Sequence, residues 1–294
     1  MSADLLPVIY PMISQPLPDP RLRVISDGMG VQSFAMKMMA SRGLIGPMPD
    51  ASIFSNTGDE TTASLETRDM LLSGNWAVPF PQIECSSGNL ADDFDLATAG
   101  MLDRFPNPPL FTKDQNGKRG QLTRSCTRDY KIVAVRRKIR ELLGAGIRER
   151  IAPGSVELWI GITTDEKHRF AASEVAHITN RAPLLEIGWS RQNCIDWIWD
   201  EYQIAIPADR ETYSACTHFP GWLAMKRDYP ADFAVAVAAD KAARHGMPGV
   251  REAAYLSDRL EPLDEIDFEA AILARRGGLF PVSDGCNAAG GCRT

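Results

Sequence analysis

The sequence lacks several features that mark specialised classes of protein. No apolar run approaches the roughly 20 residues that a membrane-spanning helix needs. The N-terminus has no basic segment followed by an apolar core, so we expect no secretory signal. Internal repeats and low-complexity segments are also missing. We therefore expect a soluble, cytoplasmic globular protein without a membrane partner.

Excess positive charge is also lacking. The chain has 32 Lys and Arg against 38 Asp and Glu, and its net charge of −6 argues against indiscriminate nucleic-acid binding by the whole surface. The charge is uneven, however, because Lys and Arg greatly outnumber acidic residues in the segment 118–150. This basic segment is either a surface that meets the phosphates of a nucleotide or nucleic acid, or a solvated helix face.

Short apolar runs that alternate with amphipathic segments predict an α/β fold. Such alternation is typical of a Rossmann-like parallel sheet with helices on both faces. The strands expected in the first half are 22–25, Ala51–Ser55 and 78–84, and a later strand is 156–162. The helices expected are Val31–Ser41, 61–72, 129–143, one from an N-cap at Ser190 to about Tyr202, 231–245 and 267–276.

Composition shifts divide the chain into four regions. We expect a proline-rich irregular arm over 1–20, an α/β domain over 21–205, a mostly helical region over 206–282 and a flexible tail over 283–294. Between 86 and 123 the periodic pattern weakens and proline and glycine recur. This stretch predicts a long loop.

The stretch Ser26-Asp-Gly-Met-Gly-Val-Gln-Ser33 joins the first strand to the first helix. The free N–H groups and the dipole of a helix start favour an anion there. Gly28 and Gly30 would let the backbone approach a phosphate, and Gln32 and Ser33 would add side-chain hydrogen bonds. The alternative is an ordinary strand-to-helix turn. Since 55–60 also follows a strand, the two segments would flank one nucleotide.

Five charged residues are further candidates for a ligand site. Arg128 and Lys131 would reach the same anion, or both are solvated. Asp165 and Glu166 follow a strand end, where they would bind Mg²⁺ or hold Arg169, and the alternative for Asp165 is a helix cap. Arg191 either joins the anion site or lies on the surface.

Six cysteines are present: Cys85, Cys126, Cys194, Cys216, Cys286 and Cys292. Without a secretion signal we expect reduced thiols, metal ligands or catalytic groups rather than structural disulfides.

Several short motifs occur in a fixed order between residue 21 and about residue 222. They are 26–33, Phe54-Ser-Asn-Thr-Gly58, Arg124-Ser-Cys-Thr-Arg-Asp-Tyr-Lys131, Gly161-Ile-Thr-Thr-Asp-Glu166 with Arg169, Pro183-Leu-Leu-Glu186, Ser190-Arg-Gln-Asn-Cys194, and Ser214-Ala-Cys216 with Pro220. With these motifs the chain resembles the phosphoadenosine phosphosulfate (PAPS) reductase-like proteins, especially the branch common in phage genomes. That branch belongs to the PP-loop superfamily of adenine-nucleotide α-hydrolases.

The resemblance implies a five-stranded parallel sheet that binds ATP or PAPS. Ser26, Gly28, Gly30, Gln32 and Ser33 would hold the phosphates or sulfate. Asn56, Thr57 and Gly58 would lie near the adenine and ribose. The superfamily loop reads Ser-Gly-Gly-x-Asp-Ser, and Gln32 stands in place of its acidic residue, a departure that bears on ATP cleavage.

The resemblance also implies roles for the cysteines. A 4Fe–4S cluster would be held by Cys126, Cys194 and Cys216, with its fourth iron either open or bound by His218 or a tail cysteine. Zinc bound by the three cysteines and His218 is an alternative, and three buried thiols without metal are another. Cys286 and Cys292 on the tail would serve as nucleophile and resolving thiol. Metal ligation by the tail, or no role at all, stays open.

Three functions are compatible with these patterns. The first is a reductase of an adenylyl sulfate, which would need a thiol donor such as thioredoxin. The second is an ATP-dependent sulfurtransferase with a nucleic-acid acceptor, which the basic segment 118–150 favours. The third is a non-catalytic nucleotide-binding protein. Gln32 favours it, and so do Ser125-Cys126 and Cys216-Thr-His-Phe219, which each lack one cysteine of the Cys-Cys and Cys-x-x-Cys pairs of cluster-bearing sulfonucleotide reductases. A phage-encoded chain would act in the bacterial host cell.

Overall fold

Five parallel strands form the central sheet of the protein. The computed structural model describes residues 6–7, 9–73, 78–103, 110–113, 117–122, 126–206 and 219–276. The strands of this sheet are β1 (Leu22–Asp27), β2 (Ala51–Ser55), β3 (Gln82–Cys85), β6 (Val156–Trp159) and β7 (Ile178–Arg181), in the order β3-β2-β1-β6-β7. The predicted Rossmann-like parallel sheet is confirmed.

The remaining elements surround this sheet. A second sheet is antiparallel, and its strands β4 (Phe111–Lys113), β5 (Arg119–Gln121) and β8 (Ala254–Tyr255) have the order β5-β4-β8. The helices are α1 (Val31–Ser41), α2 (Thr62–Leu72), α3 (Leu90–Thr98), α4 (Val133–Leu142), α5 (Pro183–Glu186), α6 (Arg191–Tyr202), α7 (Phe219–Asp228), α8 (Pro230–His245) and α9 (Phe268–Arg276). A π-helical segment (Thr127–Ile132) leads into α4, and a 3₁₀ segment (Thr164–Arg169) follows β6.

The strand order reverses between β1 and β6. The chain moves from β1 to β2 and β3 on one side, and β6 and β7 complete the other side. Successive residues of a strand point to opposite faces, so Ile25 packs toward α1 and α6 while Val24 packs toward α4. At such a reversal the loops beyond the carboxyl ends of the two strands diverge and leave a crevice. The fold therefore places a ligand crevice between the segments that follow β1 and β6.

Local signals explain the helix boundaries that were predicted well. The Ser190 side chain accepts a hydrogen bond from the Asn193 N–H, and Asn193 Oδ1 accepts one from the Ser190 N–H, so a capping box starts α6 at the predicted residue. The Thr61 side chain caps α2 by accepting a hydrogen bond from the Ser64 N–H. The prediction of a long loop over 86–123 is wrong for 90–98, where Asn89 caps α3. The apolar residues Leu90, Phe94 and Ala97 already have helical spacing.

The C-terminal region is mostly helical, as predicted. Trp222, Phe233 and Phe268 pack with Phe94 of α3 and with Tyr130 of the π-helical segment in one buried cluster. The helices therefore share a core with elements that precede residue 206, and the boundary at 205 stays a prediction. No helix within the described ranges is both long and apolar enough to span a bilayer.

A buried carboxylate fixes the arm and the amino-terminal half of the sheet. Glu157 of β6 accepts hydrogen bonds from Arg23 Nε at 2.7 Å, from Trp159 Nε1 at 2.6 Å and from the Leu17 N–H at 2.5 Å. Arg181 lies beside it and also pairs with Glu186 at 2.8 Å. This network joins β1, β6, β7 and the irregular arm.

Candidate functional site

The turn after β1 is organised by one buried carboxylate. Asp27, the last residue of β1, is 5 % exposed and pairs with Lys37 Nζ of α1 at 2.5 Å. It also accepts hydrogen bonds from the Met29 N–H at 2.8 Å and from Ser52 Oγ of β2 at 2.9 Å. One side chain therefore holds two strands, the turn and the first helix together.

The turn itself leaves the start of α1 open. The Gly28 N–H donates to Ser33 Oγ at 3.0 Å, and Met29 has a φ of +53°, an uncommon conformation for a bulky residue. Gly30 precedes the helix and supplies no side-chain cap, so the first-turn N–H groups lack a capping side chain. A Cβ at Gly30 would meet no described atom within 4 Å. The space over this helix start is therefore accessible to an anion.

The segment after β6 lies directly against the same helix start. A Cβ at Gly161 would lie 3.1 Å from Gln32 Cβ and 3.5 Å from the Ser33 nitrogen. Only glycine lets these two segments approach so closely without displacement. The structure thus brings the predicted residues Gln32 and Ser33 together with Gly161, to which the sequence analysis assigned no role of its own.

Three buried polar atoms in this neighbourhood have no hydrogen-bond partner among the described residues. They are Thr163 Oγ1, Arg169 Nε and Arg191 Nε. Arg191 begins α6, while Thr163 precedes the 3₁₀ segment after β6 and Arg169 is its last residue. An unsatisfied buried polar group costs about 1–3 kcal/mol, more when it is charged. A bound oxyanion would supply the missing acceptors.

Of the roles predicted for Asp165, the structure shows the helix cap. Its Oδ2 atom accepts a hydrogen bond from the Arg191 N–H at 2.7 Å and so caps the first turn of α6. Glu166, and not Asp165, pairs with Arg169 at 2.6 Å. Asp165 therefore positions the Arg191 backbone, and Mg²⁺ binding by Asp165 stays a prediction.

On the other side of β1, the residues after β2 form a tight turn. Asn56 Nδ2 donates to Glu84 at 2.8 Å, and Asn56 Oδ1 accepts from the Gly58 N–H at 2.9 Å. Gly58 has a φ of +78°, and a Cβ there would lie 2.7 Å from the Asn89 side chain. The Thr57 carbonyl accepts from the Leu90 N–H at 2.8 Å. This turn therefore packs closely against the start of α3.

Two carboxyl groups follow this turn. Glu60 Oε1 accepts from Thr57 Oγ1 at 2.8 Å, while Glu60 Oε2 is buried and has no hydrogen-bond partner among the described residues. Burial raises the pKa of Glu60, and the charge of Lys131 partly opposes that effect. Burial, with the charges of Glu60 and Asp232, raises the pKa of Asp59 to about 7. The sequence analysis gave neither residue a role, although both lie within 55–60.

The π-helical segment brings Lys131 to this side of the site. Ser55 Oγ of β2 donates to the Tyr130 carbonyl at 2.7 Å, and the Tyr130 hydroxyl bonds to Asp93. Lys131 is half-buried, whereas Arg128 is exposed. π-helical turns recur at functional sites. Of the two predicted anion-binding residues, Lys131 is therefore the one placed near the Thr57–Glu60 turn.

The cysteines expected as metal ligands lie in different surroundings. Cys126 belongs to the cluster around Trp222, and Cys194 to the cluster between α1 and α6. Burial raises the pKa of the Cys194 thiol to about 12, which disfavours the thiolate that a metal needs. Within the described residues no group of three or more His, Cys, Asp or Glu is placed to hold a metal ion.

The other residues of these hypotheses fall elsewhere in the chain. Cys216, His218, Cys286 and Cys292 lie outside the described residues. Iron–sulfur, zinc and tail-thiol chemistry therefore stay predictions.

A small cavity lies between α2 and the sheet, beside Met29 and Phe54. Its volume of about 30 Å³ has room for one or two waters. Ligand pockets are about ten times larger or more. This cavity is therefore too small for a nucleotide.

Comparison of the chain with protein-family models, with curated proteins and with solved structures finds no match. The resemblance to PAPS reductase-like proteins thus rests on the motifs alone.

The Asp27–Lys37 pair generates a prediction about stability. Lys37→Met leaves a buried carboxylate without its cation, so we expect the free energy of unfolding to fall by about 3–5 kcal/mol. Lys138→Met, which breaks an exposed pair with Glu141, should cost about 0–1 kcal/mol. Urea unfolding of both variants measures the difference, and equal small losses would contradict a structural role for the buried pair.

Asp59 generates a prediction about pH. Its folded-state pKa of about 7 exceeds the ordinary value of 3.8, so the folded state binds more protons than the unfolded state between these values. Its contribution to stability is present below about pH 4 and is lost as the pH rises through about 7. Asp59→Asn should therefore gain stability over wild type at about pH 8 and not at about pH 4. Exposed Asp69→Asn is the control, and an identical pH profile for both variants would refute the assignment.

Proposed function

We propose that the protein binds an adenine nucleotide with its phosphates over the start of α1. The phosphates would lie between the turn 28–30 and the segment that follows β6. The uncapped helix start at the reversal of strand order supports this placement. Adenine is proposed from the resemblance to PP-loop proteins, since the geometry alone supports an oxyanion.

The observation that carries the proposal is the set of buried polar atoms without partners. Thr163 Oγ1, Arg169 Nε and Arg191 Nε all lie on the β6 side of the crevice. The charge of Asp27, in the same turn, is already balanced by Lys37, so it does not oppose an anion strongly. A bound phosphate would accept hydrogen bonds from these three donors.

We propose further that the protein is an enzyme acting at the phosphate or sulfate of this nucleotide. Lys131 and Arg128 follow Cys126 on one segment and would stabilise negative charge that develops on a departing group. Either an adenylyl sulfate reductase with a thiol donor or an ATP-dependent sulfurtransferase fits this arrangement. A 4Fe–4S cluster or zinc would bind sulfur in either enzyme. Cys216 and His218 would be among the ligands of this metal group.

For the sulfurtransferase, we propose a nucleic-acid acceptor that binds the basic segment 118–150. Within the basic segment, Arg136 pairs with Glu174 and Lys138 with Glu141. Arg140 donates to backbone carbonyls of the loop after α4. Arg137, Arg148 and Arg150 are exposed and would meet a phosphate backbone.

Arg191→Met tests the phosphate site. Loss of a hydrogen bond to a charged group costs about 1.5–3 kcal/mol, so the Kd for ATP should rise about 10- to 100-fold. Adenosine, which lacks the phosphates, should bind the variant and the wild type equally. Isothermal titration calorimetry measures both ligands.

Arg227→Met, which removes an exposed arginine of α7, is the matched control and should leave the Kd for ATP unchanged. Failure of the wild type to bind ATP, or an equal effect of the two substitutions, would overturn the proposal.

A further inference from the structure

The turn after β2 carries an acceptor that no residue of the described chain satisfies. Glu60 Oε1 is fixed by Thr57, whose hydroxyl lies 2.8 Å away and whose N–H lies 3.3 Å away. Glu60 Oε2 is buried without a partner. The charge of Lys131 favours the ionised form of Glu60, and this form only accepts hydrogen bonds, so its missing partner is a donor.

The sheet brings this acceptor to the proposed ligand. β1 and β2 are adjacent and in register, with Asp27 opposite Phe54, so the residues after β2 flank the turn 28–30. Neighbouring strands lie about 4.8 Å apart, a distance that one nucleotide easily bridges. Phosphates over α1 would leave the ribose above the end of β2. In doubly wound sheets a carboxylate at this place binds ribose hydroxyls.

We propose that Glu60 accepts a hydrogen bond from a ribose hydroxyl and selects nucleotides whose 2′- and 3′-hydroxyls are free. The inference rests on the proposed function and narrows its substrate class. ATP and adenylyl sulfate meet this requirement. A nucleotide with a 3′-phosphate, such as PAPS, does not.

The charges around Glu60 strengthen this selection. Asp59 adjoins it in the chain, and Asp232 reaches the same place from α8, where it accepts from the Thr62 N–H at 2.8 Å. Asp95 adds a further negative charge near Asp59. Lys131 is the cation that acts on Glu60. A 3′-phosphate would bring about two more negative charges beside these carboxyl groups, and the ionised carboxylates among them would repel it.

The test compares ligands that differ only at the ribose. With the wild type, 2′-deoxy-ATP or 3′-deoxy-ATP should bind about ten-fold more weakly than ATP, since a hydrogen bond to a charged group is lost. AMP should bind at least ten-fold more tightly than adenosine 3′,5′-bisphosphate. These titrations need no variant, so they test the inference even if substitutions impair folding.

Glu60→Gln keeps the shape of the side chain and removes its charge. It should reduce the preference for AMP over the bisphosphate about ten-fold. Glu66→Gln, on the exposed face of α2, is the matched control and should leave that preference unchanged.

The outcomes separate this inference from the proposed function. The role of Glu60 alone would be overturned if ATP and its deoxy analogues bound with equal Kd. It would also be overturned if the 3′-phosphorylated ligand bound more tightly. Absence of any nucleotide binding by the wild type would overturn both. Equal behaviour of the Glu60 and Glu66 variants would also contradict the role of Glu60.

Discussion

The site depends on the buried ion pair between Asp27 and Lys37. Both side chains are shielded from water, so each charge stabilises the other. The pair therefore ties the end of β1 to α1. Through Asp27 the pair also anchors the Met29 N–H and Ser52 of β2. The turn that would hold the phosphates is therefore shaped before any ligand arrives, which reduces the entropy cost of binding.

The two sides of the crevice have opposite hydrogen-bonding character. Toward β6, the open start of α1 and the arginines at 169 and 191 present donors. Toward β2, Glu60 presents an acceptor among carboxyl groups. A nucleotide has the complementary pattern, since its phosphates accept hydrogen bonds and its ribose hydroxyls donate them. In the proposed function, the donor side would bind the phosphates and the acceptor side would discriminate at the sugar.

Local patterns made part of this structure predictable. The bounds of α1 and the start of α6 follow from apolar spacing and from Ser190, and both are signals within a few residues. The long-range features were not accessible in this way. Asp165 meets a backbone N–H 26 positions away, and the importance of Gly161 depends on its approach to α1. Glu60 became a candidate only once its neighbours were placed, because a lone Glu in a sequence carries no sign of an unsatisfied oxygen.

The most direct test of the account is amide hydrogen exchange with and without saturating ATP. The N–H groups of residues 31–33 lack a side-chain cap and would donate to the phosphates. We expect their exchange to slow with ATP and to stay unchanged with adenosine, together with slower exchange in the segment 161–169. ATP-dependent protection confined to other segments, or none anywhere, would contradict a phosphate site at the start of α1.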